Sequence, residues 1–318
     1  MKYVFIYAVY MLSIVCSCGI FVITPAYIEE KTTFRKCLMS KQFFRIYLPS
    51  VFMHTSADIA SEVSDELLYG TTVRKISPPI PAKNGSGNYY RCETDYGYSG
   101  YLHEKYLGFP DNSDTDGLIP YIITASCCDI LIDCVYKYRP VLTLSRASVV
   151  RAKRVCTGSE RFFPIFHKGC RCFVPSFAVK RYALRTQVDE GEKEQIRKSI
   201  CDDALSYLGT PYRWGGRSFS GIDCSGLCFT AYFLSGIQIW RDSFADKRYV
   251  HEIDMDDLLP GDLIYFKGHM AIYIGDGEYV HSSASAGCVT VNSFNKSSII
   301  YRQDLAQSIV CFARSNLM

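Results

Sequence analysis

Apolar residues recur at helical spacing in two stretches of the second half of the chain. The first stretch has one apolar face of Ile196, Ile200, Leu205 and Leu208, and the second has Leu227, Cys228, Ala231 and Leu234. Gly209-Thr210-Pro211 is expected to end the first helix, and Gly236 the second. Strands with alternating polarity are predicted afterwards at 263–266, 269–274, 279–283 and 289–291. Helices followed by an antiparallel sheet indicate an α+β domain, which we place at 188–318.

Residues 31–187 show a different pattern, in which short apolar strands alternate with turn-forming residues. Strands are predicted at 46–48, 51–53, 72–76, 89–92 and 98–103, and then at 140–144, 148–152 and 169–175. Turn formers such as Pro78-Pro79 separate them. The repeated pattern predicts two small β-barrels in tandem, at 31–115 and 116–187, followed by a polar linker into the first helix.

The amino-terminal residues 1–30 are typical of an export segment. After Lys2 the chain carries no charge from Tyr3 to Tyr27. Such a stretch indicates a signal peptide, and about 20 apolar residues also suffice for an uncleaved membrane anchor. Small residues before Cys18 form a loose lipobox, so a lipoprotein signal is a third interpretation. Each version predicts an exported protein of the cell envelope or periplasm.

Composition narrows the class of protein. Of 318 residues, 48% are hydrophobic and 21% are charged, which excludes a disordered chain. A net charge of +3 without a long basic run gives no support for nucleic acid as a partner. The 15 cysteines contain no C-x2-C pair, so they indicate buried thiols and a few disulfides rather than a zinc site. We expect no metal or nucleotide cofactor.

One cysteine stands in a chemically distinct setting. Cys224 follows Asp223 at the predicted start of the second helix, where the helix dipole and unpaired N–H groups favour a thiolate. A cysteine nucleophile also needs a base and a third polar group that orients the base. His269 and His281 lie on predicted strands to either side of the turn Asp276-Gly277. These three residues are therefore candidates for one catalytic set.

Strand geometry places a condition on the two histidines. Side chains alternate between the faces of a strand, so His269 and His281 share a face only if paired residue numbers sum to an even value. A plain two-residue turn at Asp276-Gly277 gives odd sums and opposite faces. We therefore expect a three-residue loop, or a bulge at Gly275 or Gly277.

The candidate residues belong to an ordered set of motifs. In chain order these are Pro211-Tyr212-Arg213-Trp214-Gly215-Gly216, Asp223-Cys224-Ser225-Gly226, and the segments 261–266, 268–275 and 279–281. The set resembles the NlpC/P60 cysteine peptidases. The resemblance implies a papain-like fold with Cys224 as nucleophile, His269 as base and His281 as the orienting third member. It implies further substrate-site residues at Tyr212, Asp223 and Ser225, although Asp223 could equally be the helix cap.

Motifs in the first half of the chain resemble bacterial SH3b domains. They are Ala60-Ser61-Glu62, 67–70 and 96–101 in the first barrel and Phe173-Val174-Pro175 in the second. Two SH3b domains before an NlpC/P60 domain resemble the γ-D-glutamyl-L-diamino acid endopeptidases, which process murein peptides. The triplet Arg241-Asp242-Ser243 also follows that subfamily, whereas residues 244–247 replace the glutamine that usually comes next.

The resemblance implies a pocket for a free amine. Asp242 and Ser243 would bind the amino group of the N-terminal L-Ala of a stem peptide, because a partly desolvated carboxylate attracts an ammonium group more strongly than one in water. Glu62 and Tyr98 of the first SH3b domain would close the far side. Intact wall, whose L-Ala is amide-linked, would then be excluded.

These expectations combine into one predicted activity with two alternatives. We expect a monomeric cysteine endopeptidase that hydrolyses the bond from γ-D-glutamate to meso-diaminopimelate or lysine in murein peptides with a free N-terminal L-Ala, in cell-wall peptide recycling or turnover. One alternative is a peptidoglycan amidase or DL-endopeptidase that acts on intact wall. The other is a non-enzymatic wall-binding adhesin. Membrane attachment through the amino terminus is compatible with each.

Overall fold

The structure of the protein, a computed structural model, describes residues 43–108 and 117–318. The predicted export segment and its Cys18 lipobox lie outside the described residues. Within the described ranges, no helix has both the length and the apolar character needed to cross a bilayer. The twelve cysteines in these ranges are all free thiols, so the disulfides expected from the cysteine count do not occur among them.

Residues 43–108 form an antiparallel sheet of seven strands. The strands are β1 (Phe43–Arg45), β2 (Ser50–His54), β3 (Val63–Leu68), β4 (Thr72–Lys75), β5 (Ile80–Pro81), β6 (Asn88–Thr94) and β7 (Ser99–His103). Their order is β1-β4-β6-β7-β2-β3, with β5 paired to β6. Strand β2 shows the expected alternation, since Val51 and Met53 are buried and Phe52 between them is exposed.

Two details of this sheet differ from the prediction. The strand expected at 46–48 lies instead at Phe43–Arg45, and Ile46 bonds through its backbone to the turn at Gly70 and Thr71. Strand β3 has no alternating pattern in the sequence because Asp65 and Glu66 are buried side by side with leucines. Their charges are compensated by arginines far along the chain, which a local pattern cannot show.

Residues 117–182 form a second group of strands. They are β8 (Ile119–Ile123), β9 (Cys127–Ile130), β10 (Leu142–Ser145), β11 (Val149–Ala152), β12 (Phe162–His167), β13 (Cys170–Pro175) and β14 (Val179–Arg181). A five-stranded antiparallel sheet has the order β13-β12-β11-β8-β14, and β9 pairs with β10 separately. Apolar side chains such as Ile123 and Phe163 form a core of their own. The assignment of the two sheets to SH3b domains, with the boundaries given above, stays a prediction.

The remaining residues have the predicted α+β layout. The elements are helix α1 (Glu190–Leu205), hairpin β15 (Arg217–Ser218) and β16 (Gly221–Ile222), helix α2 (Cys224–Leu234), strands β17 (Val250–Ile253), β18 (Leu263–Phe266), β19 (His269–Gly275), β20 (Glu278–Ser283) and β21 (Cys288–Ser293), helix α3 (Gln303–Ala306) and strand β22 (Ile309–Ser315). The antiparallel sheet has the order β17-β22-β18-β19-β20-β21. Helices α1 and α2 pack on it through residues such as Ile200 and Leu227.

The predicted helical faces are confirmed with one exception. Ile196 and Ile200 of α1 are buried, together with Ala204. Leu208, which the periodicity places on the same face, is 52% exposed because α1 ends at Leu205. The apolar core of this part continues into the first sheet, where the ring centroid of Tyr96 lies 5.0 Å from that of Phe229. The first sheet and the helices therefore share one core.

Candidate active site

Helix α2 begins at Cys224 because the preceding residue caps it. The backbone of Asp223 is extended, and its carboxylate accepts a hydrogen bond of 2.5 Å from the Gly226 N–H. The Gly215 N–H donates to the second carboxylate oxygen at 2.8 Å. Position 226 must be glycine, since a Cβ there would lie 2.2 Å from the carbonyl oxygen of Gly216. These contacts fix Cys224 at the first position of the helix.

The thiol of Cys224 lies against the start of strand β19. The backbone N–H groups of Met270, the neighbour of His269, and of Ser225 lower the pKa of the thiol. Burial nevertheless raises the pKa of the Cys224 thiol to about 11, and the Asp223 carboxylate adds to the effect. Burial thus acts against the predicted resting thiolate, whereas the backbone N–H groups at the helix terminus favour it.

The two candidate histidines share one face of the sheet. Ile272 pairs with Val280, which gives an even sum, whereas Gly275 pairs with Glu278 across the turn. The register shifts between Tyr273 and Gly275, so the expected bulge is confirmed at its Gly275 position. Asp276 and Gly277 form the turn itself with φ of 52° and 74°, values typical of a two-residue hairpin turn. Without the bulge, the two imidazoles would point to opposite sides.

Hydrogen bonds connect the histidines in series. His269 Nε2 lies 2.7 Å from His281 Nδ1, and His281 Nε2 lies 2.8 Å from Asn292 Oδ1. The Asn292 amide nitrogen donates to the Ile300 carbonyl at 2.8 Å, which fixes the orientation of the amide. Asn292 Oδ1 is therefore an acceptor, so His281 carries its proton on Nε2 and accepts on Nδ1. His269 must then donate from Nε2, which leaves its Nδ1 free as a base.

Both imidazoles are neutral in the resting protein. Burial lowers the pKa of His269 to about 3, and the charges of His281 and Arg302 act in the same direction. Burial also lowers the pKa of His281, whereas the hydrogen bond that His281 donates to Asn292 raises it. A neutral imidazole can take the proton of a neutral thiol as the sulfur attacks.

Asn292 is a site residue that the sequence did not reveal. It lies on β21, where Thr290 is directly opposite His281 and Asn292 is the diagonal neighbour on the same face. It belongs to none of the motifs, and an asparagine in a strand is not a chemical signal by itself. The register of β20 against β21 would have been needed to identify it.

Tyr212, which the motif places beside the thiol, is close enough for the charge of Cys224 to act on it. It is partly exposed, and its backbone N–H donates to the Gly287 carbonyl at 2.8 Å. Burial first, and then the charges of Cys224 and Asp223, raise the pKa of Tyr212 to about 12. The hydroxyl therefore keeps its proton at neutral pH and can donate a hydrogen bond near the sulfur.

Arg241 fixes the capping residue of α2 through hydrogen bonds. Its guanidinium donates to both carboxylate oxygens of Asp223, at 3.1 and 3.2 Å, and to Ser225 Oγ at 2.8 Å. Its Nε donates to Asp65 Oδ1 at 2.6 Å. Asp223 thus has the geometry of the cap, one of its two expected roles, and Ser225 makes its hydrogen bonds inside the protein.

Asp65 connects this cluster to the first sheet. The residue lies on β3 and is completely buried, as are its partners Arg217 and Arg241 to within 1% exposure. Arg217 Nη1 lies 3.4 Å from Asp65 and donates to the hydroxyl of Tyr96 at 2.9 Å, while Tyr96 donates to Asp65. The backbone N–H of Arg217 donates to Glu66 at 2.8 Å. The strand β3 and the start of α2 are therefore joined by buried charges.

Asp242 meets an aromatic side chain of the first sheet. The Tyr98 hydroxyl donates to Asp242 Oδ1 at 2.9 Å, and the Tyr98 ring centroid lies 5.6 Å from that of Trp240. Burial raises the pKa of Asp242, although the bond from Tyr98 and the charge of Arg241 oppose this. A carboxylate with a raised pKa is stabilised by an incoming cation.

The other two residues assigned to the amine pocket are placed differently. Ser243 follows Asp242 and is partly exposed. Glu62 is exposed in the loop before β3, where its backbone carbonyl accepts from the Thr55 N–H at 2.9 Å. No hydrogen bond between described residues joins Glu62 to Asp242. The structure thus brings Tyr98, but not Glu62, into contact with Asp242.

Comparison with known proteins identifies the family. A profile of the NlpC/P60 family matches residues 209–307. Dipeptidyl-peptidase 6 of Lysinibacillus sphaericus is 31% identical over 274 residues, which cover 81% of this chain and 93% of the relative. The chain belongs to the NlpC/P60 family. Its NlpC/P60 relatives include Gamma-D-glutamyl-L-lysine dipeptidyl-peptidase of Bacillus cereus, 33% identical over 148 residues that cover 38% of this chain and 44% of that protein.

A solved structure supports the same fold. An NlpC/P60 family protein from Bacillus cereus ATCC 10987 superposes with a TM-score of 0.68 over 86% of this chain and 99% of that chain, at 20% identity. The agreement extends well beyond residues 209–307, so the NlpC/P60 neighbour shares the arrangement of the strands in the first half as well. As a member of the NlpC/P60 family, the protein is a hydrolase.

Proposed function

We propose that this NlpC/P60 hydrolase is a cysteine endopeptidase that cuts the bond between γ-D-glutamate and the diamino acid of murein peptides. Cys224 Sγ attacks the amide carbon while His269 Nδ1 takes the thiol proton. The imidazolium then returns this proton to the leaving amine, and a thioester remains. Water activated by His269 hydrolyses the thioester, which releases the acid and restores the thiol.

The histidine series supports this order of proton transfers. His269 begins as the neutral base, because its Nδ1 is unprotonated and burial keeps its pKa low. When His269 gains a proton, its Nε2–H still donates to His281, so the bond of 2.7 Å persists in both states. A buried cation next to a hydrogen-bond acceptor costs less than one without a partner. His281 therefore stabilises the imidazolium and keeps its ring oriented.

One observation carries the choice of substrate: the contact between Tyr98 and Asp242. It places a half-buried carboxylate and a phenol at the junction between the first sheet and the peptidase part. An ammonium group there gains a charge-assisted bond and favours the ionised form of Asp242, against the effect of burial. The name dipeptidyl-peptidase, carried by the relative that this chain matches over 81% of its length, implies a free amino end in the same way.

The proposed substrate class is therefore a released murein peptide with a free N-terminal L-Ala. Intact wall lacks that amine, so it would leave Asp242 buried without a cation. This filter fits peptide recycling or turnover by an exported enzyme, and we propose the cell envelope as its place of action. Ser243 and the exposed Glu62 remain part of this proposal as further contacts to the amino-terminal residue.

Mass spectrometry of defined peptides tests the proposal. L-Ala-γ-D-Glu-meso-diaminopimelate should yield L-Ala-D-Glu and free diaminopimelate with the unmodified protein, and no product with Cys224→Ala. Cys228→Ala is the matched control, since it removes a buried thiol one turn further along the same helix. Release of peptides from intact sacculi, without cleavage of the tripeptide, would instead favour the amidase or DL-endopeptidase alternative.

A further inference from the structure

A notch between the two amino-terminal sheets is lined by two arginines. Arg45 from the end of β1 and Arg151 from β11 face it together with the rings of Tyr47, Tyr69 and Phe166. The notch is partly enclosed and partly open to solvent. It belongs to neither the catalytic residues nor the proposed amine pocket.

The walls of the notch are held rigidly by the junction of the sheets. The Val149 N–H donates to the Tyr69 carbonyl at 2.9 Å. Gly70 follows with a φ of 89°, and a Cβ there would lie 2.0 Å from the Val149 carbonyl oxygen. Only glycine allows this approach, so the two sheets meet at a fixed distance. Tyr69 is further fixed by a hydrogen bond of 2.9 Å between its hydroxyl and His167 Nδ1.

Among the residues that the structure describes, neither guanidinium group has a counter-charge at contact distance. Arg45 is buried, with 7% exposure, and its Nε forms no hydrogen bond with any residue of the described ranges. Neither Arg45 nor Arg151 forms an ion pair with any residue in the described ranges. Asp95 acts on both only from longer range. Burial, followed by the like charge of Arg45, lowers the pKa of Arg151. Two cations held together without an anion are unfavourable.

We propose that this notch is a binding site for a small oxyanion, either a carboxylate or a phosphate. A planar guanidinium binds two oxygens of such a group at once, and two guanidiniums surround it from both sheets. The surrounding rings reduce competition from water, which strengthens charge-assisted bonds. An anion here would also neutralise the repulsion between Arg45 and Arg151.

Thermal unfolding and calorimetry with sodium phosphate and sodium acetate test this site. Both titrations are compared with sodium chloride at equal ionic strength, so that screening is matched. We expect a saturable rise in Tm with at least one of the two anions, because a ligand that binds only the folded state stabilises it. A response to phosphate alone indicates a phosphate ester as ligand, and a response to acetate alone indicates a peptide carboxylate.

Substitutions of single arginines test whether the anion binds at the notch. Arg45→Met and Arg151→Met should each weaken anion binding at least tenfold, since each removes a charge-assisted contact. Arg151→Lys keeps the charge, loses the two-oxygen geometry and should weaken binding less than Arg151→Met. Arg181→Met removes an exposed arginine from β14 and should bind as the unmodified protein does. Equal Tm shifts in all variants, or no anion response in the unmodified protein, would overturn the proposed site. Peptide cleavage by the arginine variants should be unaffected, because the notch lies outside the catalytic residues.

Discussion

His269 donates a hydrogen bond of 2.7 Å from Nε2 to Nδ1 of His281, and the direction of this bond is set by Asn292. The Ile300 carbonyl fixes the Asn292 amide, the amide fixes the His281 tautomer, and His281 fixes that of His269. The position of the catalytic proton is thus determined by a backbone carbonyl outside the motifs. Asn292 is a positioning residue, since it acts on the sulfur only through the two imidazoles.

Asn292→Ala is predicted to allow both tautomers of His269 and of His281, because the acceptor that fixes the His281 proton is lost. We expect kcat to fall about 10- to 100-fold with little change in KM, because part of the population then presents a protonated Nδ1 to the thiol. Nitrogen-15 NMR of the imidazoles should show mixed tautomers in the variant and single tautomers in the unmodified protein. Asn295→Ala, in the loop after β21, is the matched control. An unchanged pair of tautomers in Asn292→Ala would contradict the relay.

The ionisation of Cys224 can be read from its rate of alkylation. Because burial raises its pKa to about 11, the reactive thiolate is a minor form at pH 7. The rate constant for iodoacetamide should therefore rise about tenfold for each pH unit from 7 to 9, as for a thiol far below its pKa. Cys224→Ala supplies the background from other cysteines. A rate that stays level between pH 5 and 8 would show a preformed thiolate–imidazolium pair instead.

Asp242 and Tyr98 are predicted to act on binding rather than on chemistry. Tyr98→Phe removes the donor at 2.9 Å and should raise KM for the free tripeptide about tenfold with kcat nearly unchanged. Tyr101→Phe changes a tyrosine on strand β7, three residues further along the chain, and should have little effect. A fall in kcat alone would place Tyr98 outside the amine pocket.

Asp242 also provides a test based on stability. Burial raises its pKa, so the folded state binds this proton more tightly than the unfolded state does. The stability of the free protein therefore falls as pH rises above the ordinary pKa of an aspartate. Asp242→Asn removes this penalty, and we expect it to be at least as stable at pH 7 while losing activity. Denaturation at pH 7 checks this, and clear destabilisation would mean that Asp242 has a structural role.

The buried cluster around Asp65 is predicted to support both stability and the helix cap. Asp65→Asn leaves Arg217 and Arg241 with uncompensated buried charge, which should cost about 3–5 kcal/mol in the free energy of unfolding. Glu93→Gln breaks the exposed pair with Arg74 and should cost less than about 1 kcal/mol. Urea denaturation of the two variants makes the comparison. Similar losses in the free energy of unfolding for the two variants would contradict the predicted contribution of the buried cluster to stability.

The sequence predicts those features of the site that depend on residue chemistry and on the geometry of residues close together in the chain. Cys224 begins a helix because a capping residue precedes it, and the parity of the hairpin requires the bulge that the structure contains at Gly275. Both conclusions depend on residues close together in the chain. Local reasoning does not include the effect of burial on the pKa of Cys224, because burial is decided by the packing of distant elements.

Long-range partners explain the remaining differences. Asp65 and Arg241 meet across 176 positions of sequence, so β3 appears unsuitable as a buried strand until its arginines are known. Asn292 becomes part of the site only through the register of β20 and β21. The placement of Glu62 depends on a loop conformation that no pattern of polarity specifies.

A comparison of free and N-acetylated L-Ala-γ-D-Glu-meso-diaminopimelate tests the central proposal most directly. Acetylation removes the positive charge that Asp242 is proposed to bind and leaves the scissile bond unchanged. We predict that kcat/KM for the acetylated peptide is lower by at least 100-fold. Equal kcat/KM values for the two peptides would contradict the amine pocket and, with it, the proposed restriction to released murein peptides.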